Sequence, residues 1–202
     1  MRELAFGENK ISVLDKVIFF FRARRIKKYL QDCDVVVDAG CGHSATLLKW
    51  ILKTFSVKKG IGLDVSFEGG LTDEKLNLIK SDFSNPLPLG DNLADYVIST
   101  AVVEHLSDPL FHAKEIERVL KPGGKLLLTT PSKLAKPILE FLAFKLGVID
   151  RDEIADHKQY FNVAELKELL VKCGFRPEDI SAHTFLFGLN NFILAKKYVK
   201  SN

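Results

Sequence analysis

VVVDAGCGHS, residues 35–44, is the stretch whose reading decides the fold. Three β-branched residues in a row suit a strand buried on both faces. Gly40 and Gly42 let the backbone bend and come close to a ligand with no Cβ in the way. Ser44 stands where it could cap a following helix, and residues 45–55 carry apolar side chains at 48, 51, 52 and 55, a helical spacing. A strand, a glycine turn and a helix open a βαβ unit, and a small polar ligand should sit on the turn.

Working outward, residues 59–64 (KGIGLD) read as a second strand ending in Asp64. Residues 76–80 (LNLIK) read as a third, followed by Asp82 and Phe83, and residues 94–100 (ADYVIST) as a fourth. Asp108-Pro109 is a favourable cap and first-turn pair for a helix whose buried stripe is Leu110, Ala113, Ile116, Val119 and Leu120. A fifth strand spans residues 125–130 after Lys121-Pro122-Gly123-Gly124. Asn162 caps a helix with apolar positions 163, 166, 169 and 170, ended by Gly174. Residues 180–187 and 191–197, joined by Gly188-Leu189-Asn190, make an antiparallel hairpin at the sheet edge. The order predicts an α/β fold: a doubly wound, mostly parallel seven-stranded Rossmann-like sheet with an antiparallel C-terminal hairpin and helices on both faces. Ligands then gather at the strand carboxyl ends.

The 202 residues fit a single domain, 1–202, and 47% apolar with 27% charged residues is the composition of a soluble globular protein. A formal charge of +3 is too small to argue for nucleic acid by itself. Cys33, Cys41 and Cys173 share no metal-ligand or redox spacing, so reduced thiols in a cytoplasmic protein are expected. The start lacks the character of a signal peptide, and no apolar run approaches the roughly 18 residues a membrane span needs. Residues 1–30 read as a helical cap, with apolar positions 11, 14, 17, 18, 21 and 26 on one face. Arg22, Arg24, Arg25, Lys27 and Lys28 follow the aromatic run Phe19 to Phe21. They are either a solvated basic face or a patch for an anionic membrane or for phosphates. Residues 133–149, KLAKPILEFLAFKLGVI, are too apolar for a linker. They read as part of an inserted lid or substrate-binding segment, 133–156, or as a helix completing the core.

Asp38, Asp64 and Asp82 follow successive strands, the arrangement a nucleoside ligand needs. An acidic side chain ending the second strand can accept from ribose hydroxyls, and one after the third from an adenine amino group. A dinucleotide would want Gly-x-Gly-x-x-Gly. Here a carboxylate, Asp38, stands at the mouth of the turn, which disfavours pyrophosphate and favours a ligand with a cationic group.

At this point the chain resembles the class I S-adenosylmethionine-dependent methyltransferases over nearly its whole length. VVVDAGCGHS is similar to the first motif, GLDVS to the second, SDFSNPLPL to the third, DYVISTAVVEHLSDP to the fourth, and VLKPGGKLLLTTPS to the Gly-Gly strand after it. The resemblance implies S-adenosylmethionine as cofactor. Gly40, Cys41 and Gly42 would lie against the methionine part, Asp38 near its amino group, and Asp64 with Val65 at the ribose. Asp82 and Phe83 would flank the adenine, and Ser99, Thr100 and Ala101 would line the methyl-transfer face. Ser44 departs from the family by standing where many members have a third glycine.

EHLSDP and the later HKQYF and CGF segments are most similar to small-molecule methyltransferases of the quinone-biosynthesis type. Some of those hold a metal through an acidic residue three positions before the Glu-His pair. That position is Ala101, so no metal is expected, with Glu104 and His105 orienting loops or the cofactor. For a hydroxyl acceptor His157 is the candidate catalytic base; His112 and His183 are expected to be surface or packing residues. The functional expectation is methyl transfer to a small, lipophilic acceptor with peripheral membrane contact. The alternatives are RNA or protein methylation docking through residues 22–28, and a non-catalytic cofactor-binding or interaction module.

Overall fold

The structure, a computed structural model, describes residues 13–67 and 71–199. In chain order the elements are α1 (Val13–Tyr29), β1 (Cys33–Ala39), α2 (Thr46–Thr54), β2 (Val57–Asp64), β3 (Leu71–Thr72), β4 (Leu76–Lys80), β5 (Ala94–Thr100), α3 (Pro109–Val119), β6 (Leu120–Pro131), α4 (Ala135–Glu140), α5 (Arg151–Ala155), α6 (Val163–Lys172), β7 (Ile180–Phe185) and β8 (Asn190–Lys196).

The strands form one sheet in the order β3-β4-β2-β1-β5-β6-β8-β7. The seven expected strands are all present, and the two-residue β3 adds an antiparallel edge beside β4. From β4 to β6 the pairs are parallel, and β8 runs antiparallel to both β6 and β7. The chain leaves β1 toward β2 and β4 on one side and later returns to β5 and β6 on the other, so its winding reverses between β1 and β5. That switch point is where open α/β sheets bind ligands. Asp38 sits in register with Gly62 of β2 and Ile98 of β5, beside the reversal.

Period-two alternation divides the core. Val37, Val97, Leu126 and Leu128 face α3 and α6 through Ile116, Val119, Leu166 and Leu170. Val36, Ile98 and Leu127 face α1 and α2 through Ile26, Leu30, Leu48 and Ile51. The apolar triplet before the turn is thus covered on both sides, as its composition required.

Three expectations are corrected. In α1, Phe21 and Ile26 of the expected face pack on the core, joined by Ala23, by Phe19 against Trp50 and by Tyr29 stacked on Phe192, with Leu30 just beyond the helix, while Val17 is exposed. Aromatic partners on α2 and β8 set this rotation, and apolar count along α1 does not. Residues 10–12 of the expected helix lie outside the described residues. The hairpin turn comes earlier than Gly188-Leu189-Asn190: Leu186, Phe187 and Gly188 all have positive φ, Leu189 N–H donates to Leu186 O, and Asn190 begins β8. The fifth strand begins at Leu120, before the Pro122-Gly123-Gly124 irregularity, because Leu120 already pairs with Ala94.

Residues 133–149 do not complete the core. α4 continues into a π-helical turn at Phe141–Lys145, and Ile138, Phe141, Phe144, Leu146 and Val148 are exposed. Among the described residues no helix is long and apolar enough to cross a membrane, and all three cysteines are free.

The caps at Asp108 and Asn162 behave as read. Asp108 accepts from Phe111 N–H at 2.9 Å, and Asn162 with Glu165 forms a reciprocal capping box. Replacing Asn162 by alanine should lower stability by about 1 kcal/mol. In a thermal melt that is a fall of about 2–4 °C for a domain of this size.

Candidate active site

The glycine turn is shaped by what lies behind it and what does not lie in front. Gly40 has φ +88°, and a Cβ there would fall 2.2 Å from Val102 Cγ2. Gly42 has φ +69°, and a Cβ there would meet nothing within 4 Å. Gly40 is therefore pressed against the start of the segment after β5, while Gly42 faces open space. The turn is held from β2: Leu63 O accepts from Gly40 N–H at 2.7 Å and from Cys41 N–H at 3.2 Å. Asp64 Oδ2 accepts from Gly42 N–H at 2.8 Å, and Oδ1 from Ser66 N–H at 3.0 Å and Ser66 Oγ–H at 2.7 Å.

Asp38 is wholly buried and neither of its carboxylate oxygens has a hydrogen-bond partner. Burial, with the Asp64 charge adding to it, pushes its carboxyl up to about 7. A buried carboxylate without a donor is costly, and one at a ligand-binding switch point is matched by a ligand that brings a cation or an N–H. Cys41, half-buried, has its thiol pushed well above the ordinary range by burial and by the Asp38 and Asp64 carboxylates. Val65 is half-buried just past the end of β2.

Ser44 does not cap α2. Its hydroxyl pairs with Thr46 Oγ1 at 2.8 Å, and the cap position belongs to Ala45, buried and left-handed at φ 48°. The left-handed residue therefore comes after position 44, which explains why a serine is tolerated where a third glycine is common.

The ends of β4 and β5 complete the wall. Asp82 is exposed, its carboxylate fixed by Ser84 N–H at 3.0 Å and Asn85 Nδ2. The Phe83 ring is packed inward, its centroid 4.9 Å from that of His112, so Phe83 presents backbone rather than a ring face to the cleft. Ser99 is likewise turned inward, 3.4 Å from His112 Nε2. Burial lowers His112 to about 4 and keeps it neutral. Thr100 is half-buried, and Ala101, at φ 54°, donates its N–H to Thr129 O at 2.9 Å. Ala45 at the cap of α2, Phe83 in the loop after β4 and Ala101 just after β5 are non-glycine residues in the left-handed region. Each costs about 1–2 kcal/mol, a strain that collects at ligand sites.

The chemistry of these residues fits S-adenosylmethionine, which carries a cationic amino group, a pair of ribose hydroxyls and an exocyclic amine that carboxylates can receive. A pH dependence follows from Asp38. Its folded-state pKa lies above the ordinary 3.8, so between the two values the folded chain holds a proton that the unfolded chain has lost. Stability of the ligand-free protein therefore falls as pH rises through that window. Binding a cation there favours the ionised form. Calorimetry with S-adenosylhomocysteine in two buffers of different ionisation enthalpy should show proton release at about pH 6 and little at about pH 8.

Beyond β5 and β6 lies a polar cluster beside a groove of about 510 Å³ lined by Lys133, Lys136, Phe144, His157 and Tyr160, among others. Glu104 is wholly buried; its Oε2 accepts from Thr130 Oγ at 3.0 Å. Its backbone carbonyl accepts from Lys158 N–H at 2.8 Å and Gln159 N–H at 3.2 Å. That tie brings the His157 segment onto the Glu-His pair. His105 Nδ1 is 3.0 Å from Asp156 Oδ2, and His157 Nδ1 is 2.7 Å from the Tyr160 hydroxyl. One ligand atom from each of Glu104, His105 and His157 lies within 4.8 Å of the others. Reading by spacing kept Glu104 and His105 apart from His157, and Thr130, Asp156 and Tyr160 went unnoticed. The His157–Tyr160 offset within HKQYF was the available signal.

Comparison with known proteins agrees with this geometry. Residues 37–128 match the family described as "Methyltransferase domain". The chain is 31% identical over 185 residues to a Mycolicibacterium smegmatis protein named as an S-adenosylmethionine-dependent methyltransferase, covering 86% of this chain and 65% of that one, somewhat under two thirds of its length. It is 31% identical over 168 residues to an Encephalitozoon cuniculi protein named as a methyltransferase, covering 77% of each. Among solved structures, a Haloferax volcanii complex of the Trm112 activator with a methyltransferase superposes with TM-score 0.69 at 18% identity, covering 95% of this chain and 100% of that one. The unpartnered Asp38, the Asp64-anchored glycine turn and these relatives converge: the chain belongs to the class I S-adenosylmethionine-dependent methyltransferases.

Proposed function

We propose that the chain transfers a methyl group to a hydroxyl on a small, lipophilic molecule, with His157 taking the hydroxyl proton. The observation that carries this reading is the placement of His157 on the wall of the groove that also holds Phe144, next to the exposed apolar run from Ile138 to Val148. That groove joins Phe144 and Ile154 to His157 and to the charged Lys133, Lys136, Glu140 and Lys158, a mixture suited to a molecule with an apolar body and a polar reactive end. When bound, S-adenosylmethionine supplies an electrophilic methyl group on a sulfonium.

The protein's own residues bind, orient and move a proton. Asp38, Gly40, Cys41, Gly42, Asp64, Val65, Asp82, Phe83, Ser99, Thr100 and Ala101 hold and frame the cofactor. Tyr160 orients the imidazole of His157 through Nδ1. The apolar 138–148 run closes over the acceptor and keeps water out. Arg25, within residues 22–28, is 2.7 Å from His183 Nε2 and lies over the Phe185 ring, so part of that basic stretch serves to hold α1 on β7. This favours the small-molecule reading over RNA or protein docking.

The experiment incubates the protein with methyl-labelled S-adenosylmethionine and cell extract. Label should enter an organic-extractable small molecule; label confined to RNA or protein overturns the reading. With the acceptor in hand, His157→Asn should lower kcat by about 10²–10⁴-fold while S-adenosylhomocysteine affinity stays unchanged. An unaltered kcat removes His157 from the mechanism.

A further inference from the structure

We propose that the methyl acceptor carries a carboxylate, bound by Lys136 and Lys158 in the groove that holds His157. The inference rests on the reading of this groove as the acceptor site and adds the charge of the molecule it takes. Three lysines, Lys133, Lys136 and Lys158, stand with one glutamate, Glu140, on its lining. Charges of one sign gathered in a cleft raise the local concentration of a ligand of the opposite sign.

The three lysines are not equivalent. Lys133 is taken by Glu165 in an ion pair. Lys136, on α4, meets Glu140 Oε1 only at 4.0 Å, beyond hydrogen-bond distance, and its ammonium lies 5.9 Å from the centroid of the Tyr160 ring. Tyr160 in turn holds His157 through the 2.7 Å contact to Nδ1, so Lys136 stands one side chain away from the imidazole. Lys158 follows His157 directly. Its backbone N–H donates to Glu104 O at 2.8 Å and its ammonium to Ser107 Oγ at 2.7 Å, a neutral partner that orients the charge without cancelling it. Among the described residues Lys158 forms no ion pair with a carboxylate.

With Lys133 held by Glu165, the ammonium groups of Lys136 and Lys158 exceed the Glu140 carboxylate by a single positive charge, which a single carboxylate on the ligand balances. A phosphate monoester brings about −1.5 to −2 and would set its second charge against Glu140. Phe144 and Ile154 on the same lining give the body of the molecule an apolar wall. A lysine is a compact point charge with rotatable donors, so it can hold one carboxylate oxygen while the shape of the groove positions the rest of the ligand.

The test titrates the full chain, loaded with S-adenosylhomocysteine, by calorimetry with three probes that share one aromatic body: 3-hydroxy-2-naphthoate, 2-naphthol and 2-naphthyl phosphate. The carboxylate should bind most tightly. Lys136→Gln and Lys158→Gln should each weaken it about fivefold, which corresponds to about 1 kcal/mol and to the upper range of an exposed ion pair. Binding of 2-naphthol and of S-adenosylhomocysteine should stay at wild-type values. Lys133→Gln, which removes a lysine already paired, should matter less than either, and thermal melts check that each variant is folded. Absence of carboxylate binding, equal affinity for the carboxylate and 2-naphthol, or no loss in the folded Lys136→Gln and Lys158→Gln variants overturns the proposal; tightest binding of the phosphate overturns the assignment to a carboxylate. In the labelling experiment the methylated small molecule should be retained on an anion exchanger at about pH 8 and be untouched by phosphatase. A neutral labelled product defeats the anionic acceptor and leaves the small-molecule reading standing. Label confined to RNA or protein, together with lysine-dependent binding of the carboxylate probe, does the reverse.

Discussion

Asp64→Ala is expected to weaken S-adenosylhomocysteine binding by about 10–10²-fold, since a hydrogen bond to a charged group is worth about 1.5–3 kcal/mol and about 1.4 kcal/mol is tenfold. Two effects combine. The first is loss of the carboxylate as acceptor for a pair of ligand hydroxyls. A carboxylate offers about four acceptor positions; Gly42 and Ser66 use three of them here, so a ligand takes the remaining one or displaces Ser66. The second is release of Gly42 N–H, which slackens the turn. Asp64→Asn separates the two, because the amide oxygen can still accept from Gly42 while the charge is gone. Isothermal titration should therefore rank wild type, Asp64→Asn and Asp64→Ala in falling affinity. Equal affinity in all three would remove Asp64 from the site.

Gly40→Ala is the second large effect, and it falls on folding before binding. The added methyl lies 2.2 Å from Val102 Cγ2, and Val102 is fully buried. Forcing extra volume into a packed interior costs about 1–3 kcal/mol, and a left-handed alanine adds about 1–2 kcal/mol. At about 2–4 °C per kcal/mol, the melting temperature should fall by about 5–20 °C. Gly42→Ala bears the same conformational cost at φ +69° but meets no atom within 4 Å. It should melt closer to wild type yet bind cofactor poorly, because its methyl projects into the cleft. The double variant Gly40→Ala with Val102→Ala relieves the clash and leaves the left-handed alanine, so it isolates the two costs. Similar melting of Gly40→Ala and Gly42→Ala would contradict the packing account.

Much of this was legible from residue type and spacing. Short strands rich in leucine or β-branched residues and followed by a change to loop or turn residues, residues 76–80 and 94–100, were placed to the residue. Both local chemistry and period point the same way there. Caps at Asp108 and Asn162 were legible because a side chain bonds its own neighbours. The rotation of α1 was not, since it follows from aromatic partners more than 20 residues away in sequence, Trp50 and Phe192. Ser44 misled because a cap-forming residue type does not reveal that Ala45 occupies the cap in the left-handed region. The Glu104–His105–His157 grouping was hidden for a related reason. Its members are brought together by backbone hydrogen bonds across some fifty residues, and no local pattern records such a closure. In the cofactor site the acidic residues were found by their strand ends, but Ser66 and Asn85, which orient Asp64 and Asp82, surfaced only with the geometry.

On the proposed function, the turn from Asp38 to Gly42, with Asp64 and Asp82 beside it, holds the cofactor. A crystal structure of the protein with S-adenosylhomocysteine tests it most directly. The predicted result is the amino group on Asp38, the ribose hydroxyls on Asp64 and the adenine at Asp82, with Gly42 against the ligand. A ligand seated elsewhere, or one that leaves the Asp38 carboxylate without a partner, would overturn this assignment of the cofactor site.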